Sequence, residues 1–184
     1  MPQPVPVRRL LLALTLTCAL LVGATGCGGS DDDTATASAT PSPTGSAEQQ
    51  KFAKTRFVAN AGLAAGATYQ WIVKPWRAGT FKKGADGRRT ALIKAGLAGA
   101  FTYNRLKAAR KNAEGDPTLA KAVAPLTAGI DALKDLPAKL RKGDAADAAA
   151  GSFDDVINKV KEAGKSAGAE VTDKVPSTSE LSGG

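Results

Sequence analysis

The sequence predicts an all-α protein, a small antiparallel bundle of about four helices that follows a disordered stalk. Three observations lead there. From residue 50 onward apolar residues recur with a helical period, and no alternating strand pattern interrupts them. Helix punctuation falls between the periodic stretches, at Lys74-Pro75, Asp116-Pro117 and Gly143-Asp144. A chain of 184 residues with 43% hydrophobic content is also long enough to bury one core.

Residues 28–49 hold no large apolar side chain and are dominated by Ser, Thr, Ala, Pro and Gly. Such a segment cannot bury enough surface to fold, so 27–49 reads as a linker. The bundle is expected over 50–170. Its first helix, about 50–74, carries Phe57, Ala61, Ala64, Thr68 and Trp71 on one stripe and stops at Lys74-Pro75. The second, about 89–113, carries Leu92, Gly96, Gly99, Tyr103 and Leu106, flanked by Ile93 and Leu97. Asp116 is a good N-cap before the first-turn proline Pro117, so a third helix starts there. Its seam is Leu119, Val123, Leu126, Ile130 and Leu133, continuing to Leu136 and Leu140, with a bend at Pro125 and a restart at Pro137. Gly143-Asp144 ends that segment and caps a fourth helix, about 145–167, with Ala149, Phe153, Val156, Val160 and Ala163 inward. Residues 171–184 read as a disordered tail.

Segments 61–69 and 95–103 agree at six of nine places at an offset of 34 residues. That offset is the tetratricopeptide period, but Pro75–Arg89 is Gly- and Lys-rich where such a repeat needs its second helix. Matching small faces explain the similarity better. Gly62 with Gly66, and Ala95 with Gly99, stand four residues apart and are expected to bring the first two helices together. Each helical glycine costs about 1 kcal/mol relative to alanine, so close packing is the compensating gain.

Composition excludes much chemistry. There is no His, which removes the commonest general base and zinc ligand. The carboxylate groupings Asp144/Asp147 and Asp154/Asp155 suit helix-end charge better than metal or acid–base work. No strand precedes a glycine-rich phosphate loop. No catalytic residue, metal site or cofactor is therefore expected, and the chain reads as non-enzymatic.

Residues 1–27 give an address. Arg8 and Arg9 precede the uncharged apolar run Leu10 to Val22, of signal-peptide length and too short to span a bilayer. Ala24-Thr25-Gly26-Cys27 follows. Here the chain resembles a bacterial, actinobacterial-looking lipoprotein precursor. The resemblance covers residues 1–27 and implies cleavage after residue 26, with Cys27 diacylated as the mature N-terminus. It departs from the usual motif in having Ala24 where leucine is more common. It further implies attachment through diacylglycerol to the extracytoplasmic face of the cell membrane. Two or more acyl chains hold a protein there without help from the rest of the chain.

Charge is the strongest signal beyond residue 49. Residues 50–112 hold fourteen Lys/Arg and one acid, Asp86, whereas 113–184 hold nine against twelve. The densest piece joins the first two helices and places Lys74, Trp76, Arg77, Lys82, Lys83, Arg88 and Arg89 beside Trp71 and Phe81. Cations interleaved with aromatics suit an anionic lipid surface, a cell-wall polymer or an acidic protein. A solvated loop whose tryptophans close the end of the bundle is the plainer reading. Export and the lack of a recognisable motif argue against nucleic acid. An alternative function is carriage of a small apolar ligand in an interhelix cavity near Tyr69 and Tyr103, which hold matching places in the two similar segments.

Overall fold

The computed structural model describes residues 43–183, with side chains described from residue 47, and over that range the protein is all-helical, with no strand. The expected signal peptide, Cys27 and most of the expected linker lie outside the described residues. Thr40–Gly184 is one compact unit.

Helix α1 spans Pro43–Thr68 and so begins inside the expected linker. Pro43 suits a first turn, and Ala47, Glu48, Gln49 and Gln50 are all tolerant of helix, so the packed part of α1 propagates backward through them. The helix does not stop at Lys74-Pro75 either. It widens into a π turn, Tyr69–Val73, and runs on as α2, Lys74–Arg77. In a regular helix the Pro75 ring would collide with the Trp71 carbonyl. The wide turn, in which the Lys74 N–H donates to the Tyr69 carbonyl, accommodates the proline without ending the helix. Gly79 then adopts φ +73°. Its N–H donates to the Trp76 carbonyl at 2.9 Å and that of Thr80 to the Pro75 carbonyl at 3.0 Å, closing the helix end and turning the chain.

Helix α3 (Arg88–Ala113) runs back along α1. Ala53 lies beside Gly115 at one end, and Trp71 meets Lys94 towards the other. Between them the buried Thr68 and Thr102 hydroxyls are 3.1 Å apart. These two threonines hold matching places in the two similar segments, so the resemblance marks where the helices cross. The glycines do other work than expected. A Cβ on Gly62 would lie 2.6 Å from the Thr172 carbonyl oxygen, and one on Gly66 would collide with the Lys174 carbonyl. Gly96 faces Pro137 and Arg141, and Gly99 faces Phe153 and Pro137. The small faces receive third segments, while Ala61, Ala64, Ala95, Ala98 and the threonines are buried in the core.

The expected third helix is broken at its prolines. Asp116 caps α4 (Pro117–Val123) by accepting the Leu119 N–H at 2.8 Å, and it is buried 3.7 Å from Lys54 Nζ. A 3-10 turn, Ala124–Leu126, contains Pro125; α5 is Thr127–Ala132, and α6 is Leu136–Lys142 with Pro137 in its first turn. Helix α7 (Ala146–Ser166) starts from Ala145 at φ +48°. Asp144 is thus not its cap, although Asp147 does place a carboxylate in the first turn, where the helix dipole favours it. Phe57, Phe101 and Phe153 are fully buried in one core with Leu106, Leu119, Ile130 and Leu140.

The sequence predicts a disordered tail over 171–184; over 171–183 the chain is instead ordered against the bundle, held by a few buried groups while most of its side chains stay exposed. The chain over 171–177 crosses the glycine face of α1, where the Lys174 N–H donates to the Gly62 carbonyl at 2.9 Å and Asp173 pairs with Lys161 at 2.8 Å. Val171 and Pro176 are buried, and α8 (Thr178–Gly183) buries Leu181. The expectation failed because the segment is polar in composition and makes its contacts with backbone and a few small apolar groups.

Candidate functional site

The π turn and the start of α3 enclose an open cavity of about 610 Å³. Trp71, Pro75 and Ala78 form one wall, and Gly87, Thr90 and Ala91 the other. Gln70, Thr80, Lys74 and Lys94 add polar groups, and no carboxylate lines it. The Lys94 Nζ lies 5.4 Å from the centre of the Trp71 ring, close enough for a cation–π contact. The Trp71 indole N–H is buried without a hydrogen-bond partner among the described residues.

Three features of the local sequence make this cavity. Pro75 forces the wide turn, so Trp71 sits where a regular helix would have placed it differently. Gly79 turns the chain away from α2. Gly87, at φ +68°, starts α3 with no side-chain cap and no acid in the first turn. Arg88 and Arg89 stand there instead, the unfavourable sign for a helix N-terminus.

The seven residues expected to form a basic surface divide into groups. Lys82, Lys83 and Arg89 are exposed and make no ion pair among the described residues. Lys74 is exposed at the cavity. Arg77 pairs with Asp154 at 3.0 Å. Arg88 is half-buried, its Nε donating to the Phe81 carbonyl at 2.8 Å and its guanidinium lying over Gly143. Those two hold the loop to α7 and to the end of α6. Trp76 packs half-buried against the core, and Phe81 is 4% exposed, so the loop's aromatic groups are largely spent on the fold.

Tyr69 and Tyr103 do not line this cavity. Tyr69 is 49% exposed, and Tyr103 is half-buried with Lys107 Nζ 5.5 Å from its ring centre. The cavity lies instead at Trp71, two residues beyond Tyr69. Lys94 is the functional candidate that sequence reasoning missed, since only the antiparallel pairing of α1 and α3 brings it to Trp71.

No protein-family model matches the chain, and no curated protein or solved structure matches it.

Proposed function

We propose that this is a non-enzymatic envelope lipoprotein, held by a diacylated Cys27 at the outer face of the cell membrane, whose basic end binds an anionic surface. One observation carries the binding half: Lys74, Lys82, Lys83, Arg89 and Lys94 are all exposed around one end of the bundle, with no ion-pair partner among the described residues. Lipid head groups and phosphate-bearing wall polymers share the chemistry that such a surface recognises. The burial of Phe81 and the packing of Trp76 favour contact by charge rather than by insertion of aromatic rings.

The test uses the compact unit, residues 40–184, over a salt series. It is sedimented with vesicles containing phosphatidylglycerol, with phosphatidylcholine vesicles, and with immobilised poly(glycerol phosphate). Binding to either anionic material should weaken as salt rises. The triple change Lys82→Gln, Lys83→Gln, Arg89→Gln should lose up to about a hundredfold in affinity, at about 1 kcal/mol per cation. Absence of binding to both anionic materials, or binding indifferent to salt, would overturn the reading.

A further inference from the structure

The exposed cations address an extended surface, but the cavity beside them is concave, partly apolar and of bounded size. At about 610 Å³ it falls within the range of small-molecule sites. Its apolar wall is Trp71, Pro75 and Ala78, and its charge is two lysines from different helices. Neither Lys74 nor Lys94 has a carboxylate partner among the described residues, and no acid lines the cavity to compete with an incoming anion. Thr80 and Thr90 also line the cavity and add hydrogen-bonding groups to it. The first turn of α3, with no acid and no side-chain cap, adds positive potential along the same wall. The π turn is a departure from regular helix of a kind often found at functional sites.

We infer that this cavity is a discrete binding site for a small anionic amphiphile, a phosphate or carboxylate head on an apolar body. The head lies between Lys74 and Lys94, and the body rests against Trp71 and Pro75. A lysine ammonium is a compact point charge, which suits a single anionic head more than a planar bidentate one. The inference does not depend on surface binding: the cavity offers the same chemistry whether or not Lys82, Lys83 and Arg89 bind a polymer.

The experiment uses the 40–184 unit carrying Trp76→Phe, so that fluorescence reports Trp71 alone. Octyl phosphate, octyltrimethylammonium and inorganic phosphate are titrated in turn, below their micelle-forming concentrations, and melting is followed in parallel. Octyl phosphate should change Trp71 emission saturably and raise the melting temperature. The cationic analogue should do neither, and inorganic phosphate should bind at least tenfold more weakly for want of the apolar body. The double change Lys74→Gln, Lys94→Gln should weaken octyl phosphate at least tenfold while leaving the melting temperature of the free protein in place. Ala78→Phe, at an exposed position on the cavity wall, should block binding by filling the space without adding a second tryptophan. Equal response to the cationic amphiphile would overturn the site, as would undiminished binding by a folded double variant. A final arm separates two sources of the ligand. If the variant with the blocked cavity, which keeps every cation, also loses phosphatidylglycerol vesicles, the natural amphiphile is a membrane lipid; if its vesicle binding is unchanged while octyl phosphate is lost, it is a free molecule.

Discussion

Glu180 shows how a single side chain orders the end of the chain. Its carboxylate accepts the Ser177 N–H at 2.7 Å and the Ser177 hydroxyl at 2.8 Å, while the Glu180 N–H is 3.3 Å from Ser177 Oγ. This reciprocal pair caps α8. The hydrogen bond from the Ser177 N–H, then that from its hydroxyl, then the charge of Arg105 hold the Glu180 carboxyl below its ordinary range. The folded state therefore binds that proton less readily than the unfolded chain. The cap's contribution is present above the unfolded value and is lost as pH falls through the lower folded one. An acid titration followed by NMR should show the Ser177 amide signal moving with a midpoint below the usual glutamate value near 4.3. Glu180→Gln should abolish that step, and an unchanged step in the variant would show that another group produces it. The motif Ser177-Thr178-Ser179-Glu180 was present in the sequence as a capping signal. It was obscured by the polar composition around it, which reads as disorder.

Among the elements, α1 carries most of the interplay between sequence and packing. Its inward stripe of Phe57, Ala61, Ala64 and Thr68 was legible from period alone, because burial of one helix face imposes that spacing. Its second face was legible only as a row of small residues. Which neighbour such a row admits depends on what comes back across it, and here that is the segment 171–177 rather than α3. Gly66→Val should therefore displace the C-terminal segment before it disturbs the α1–α3 pair. Limited proteolysis should cut the variant within 171–177 faster than the parent. The destabilisation should be about 1–3 kcal/mol, as for other overpacked contacts. Uniform loss of structure without early C-terminal cleavage would show that Gly66 serves the whole bundle instead. The prolines likewise marked the breaks in α4, α5 and α6, since a missing N–H acts locally. Pro75 was the exception: the π turn absorbed it.

For the whole molecule, the proposed anchor and the proposed binding surface lie in separate parts of the chain and can be tested separately. No helix among the described residues is long and apolar enough to cross a membrane. If Cys27 carries the lipid, Cys27→Ser should move the protein from the membrane fraction to the soluble fraction. Fractionation of cells expressing the full chain would check this, and retention of the variant at the membrane would count against the anchor. The charge asymmetry of the sequence survives as a basic end of the folded molecule. Its membership changed, however: Arg77 is paired at the surface with Asp154, Arg88 is half-buried against the Phe81 carbonyl, and Lys94 joined from the partner helix.

The sequence by itself determined the all-helical class, the inward stripes, the Asp116 cap and the proline breaks. Each depends on interactions within about one helical turn, and period, cap and ring closure are all written locally. Tertiary structure alone decided the partner of the glycine faces, the order of the C-terminal segment and the cavity between Trp71 and Lys94. Those depend on groups 23 to more than 100 residues apart in the chain. A lysine or a glycine carries no local mark of what will stand opposite it once the helices pack.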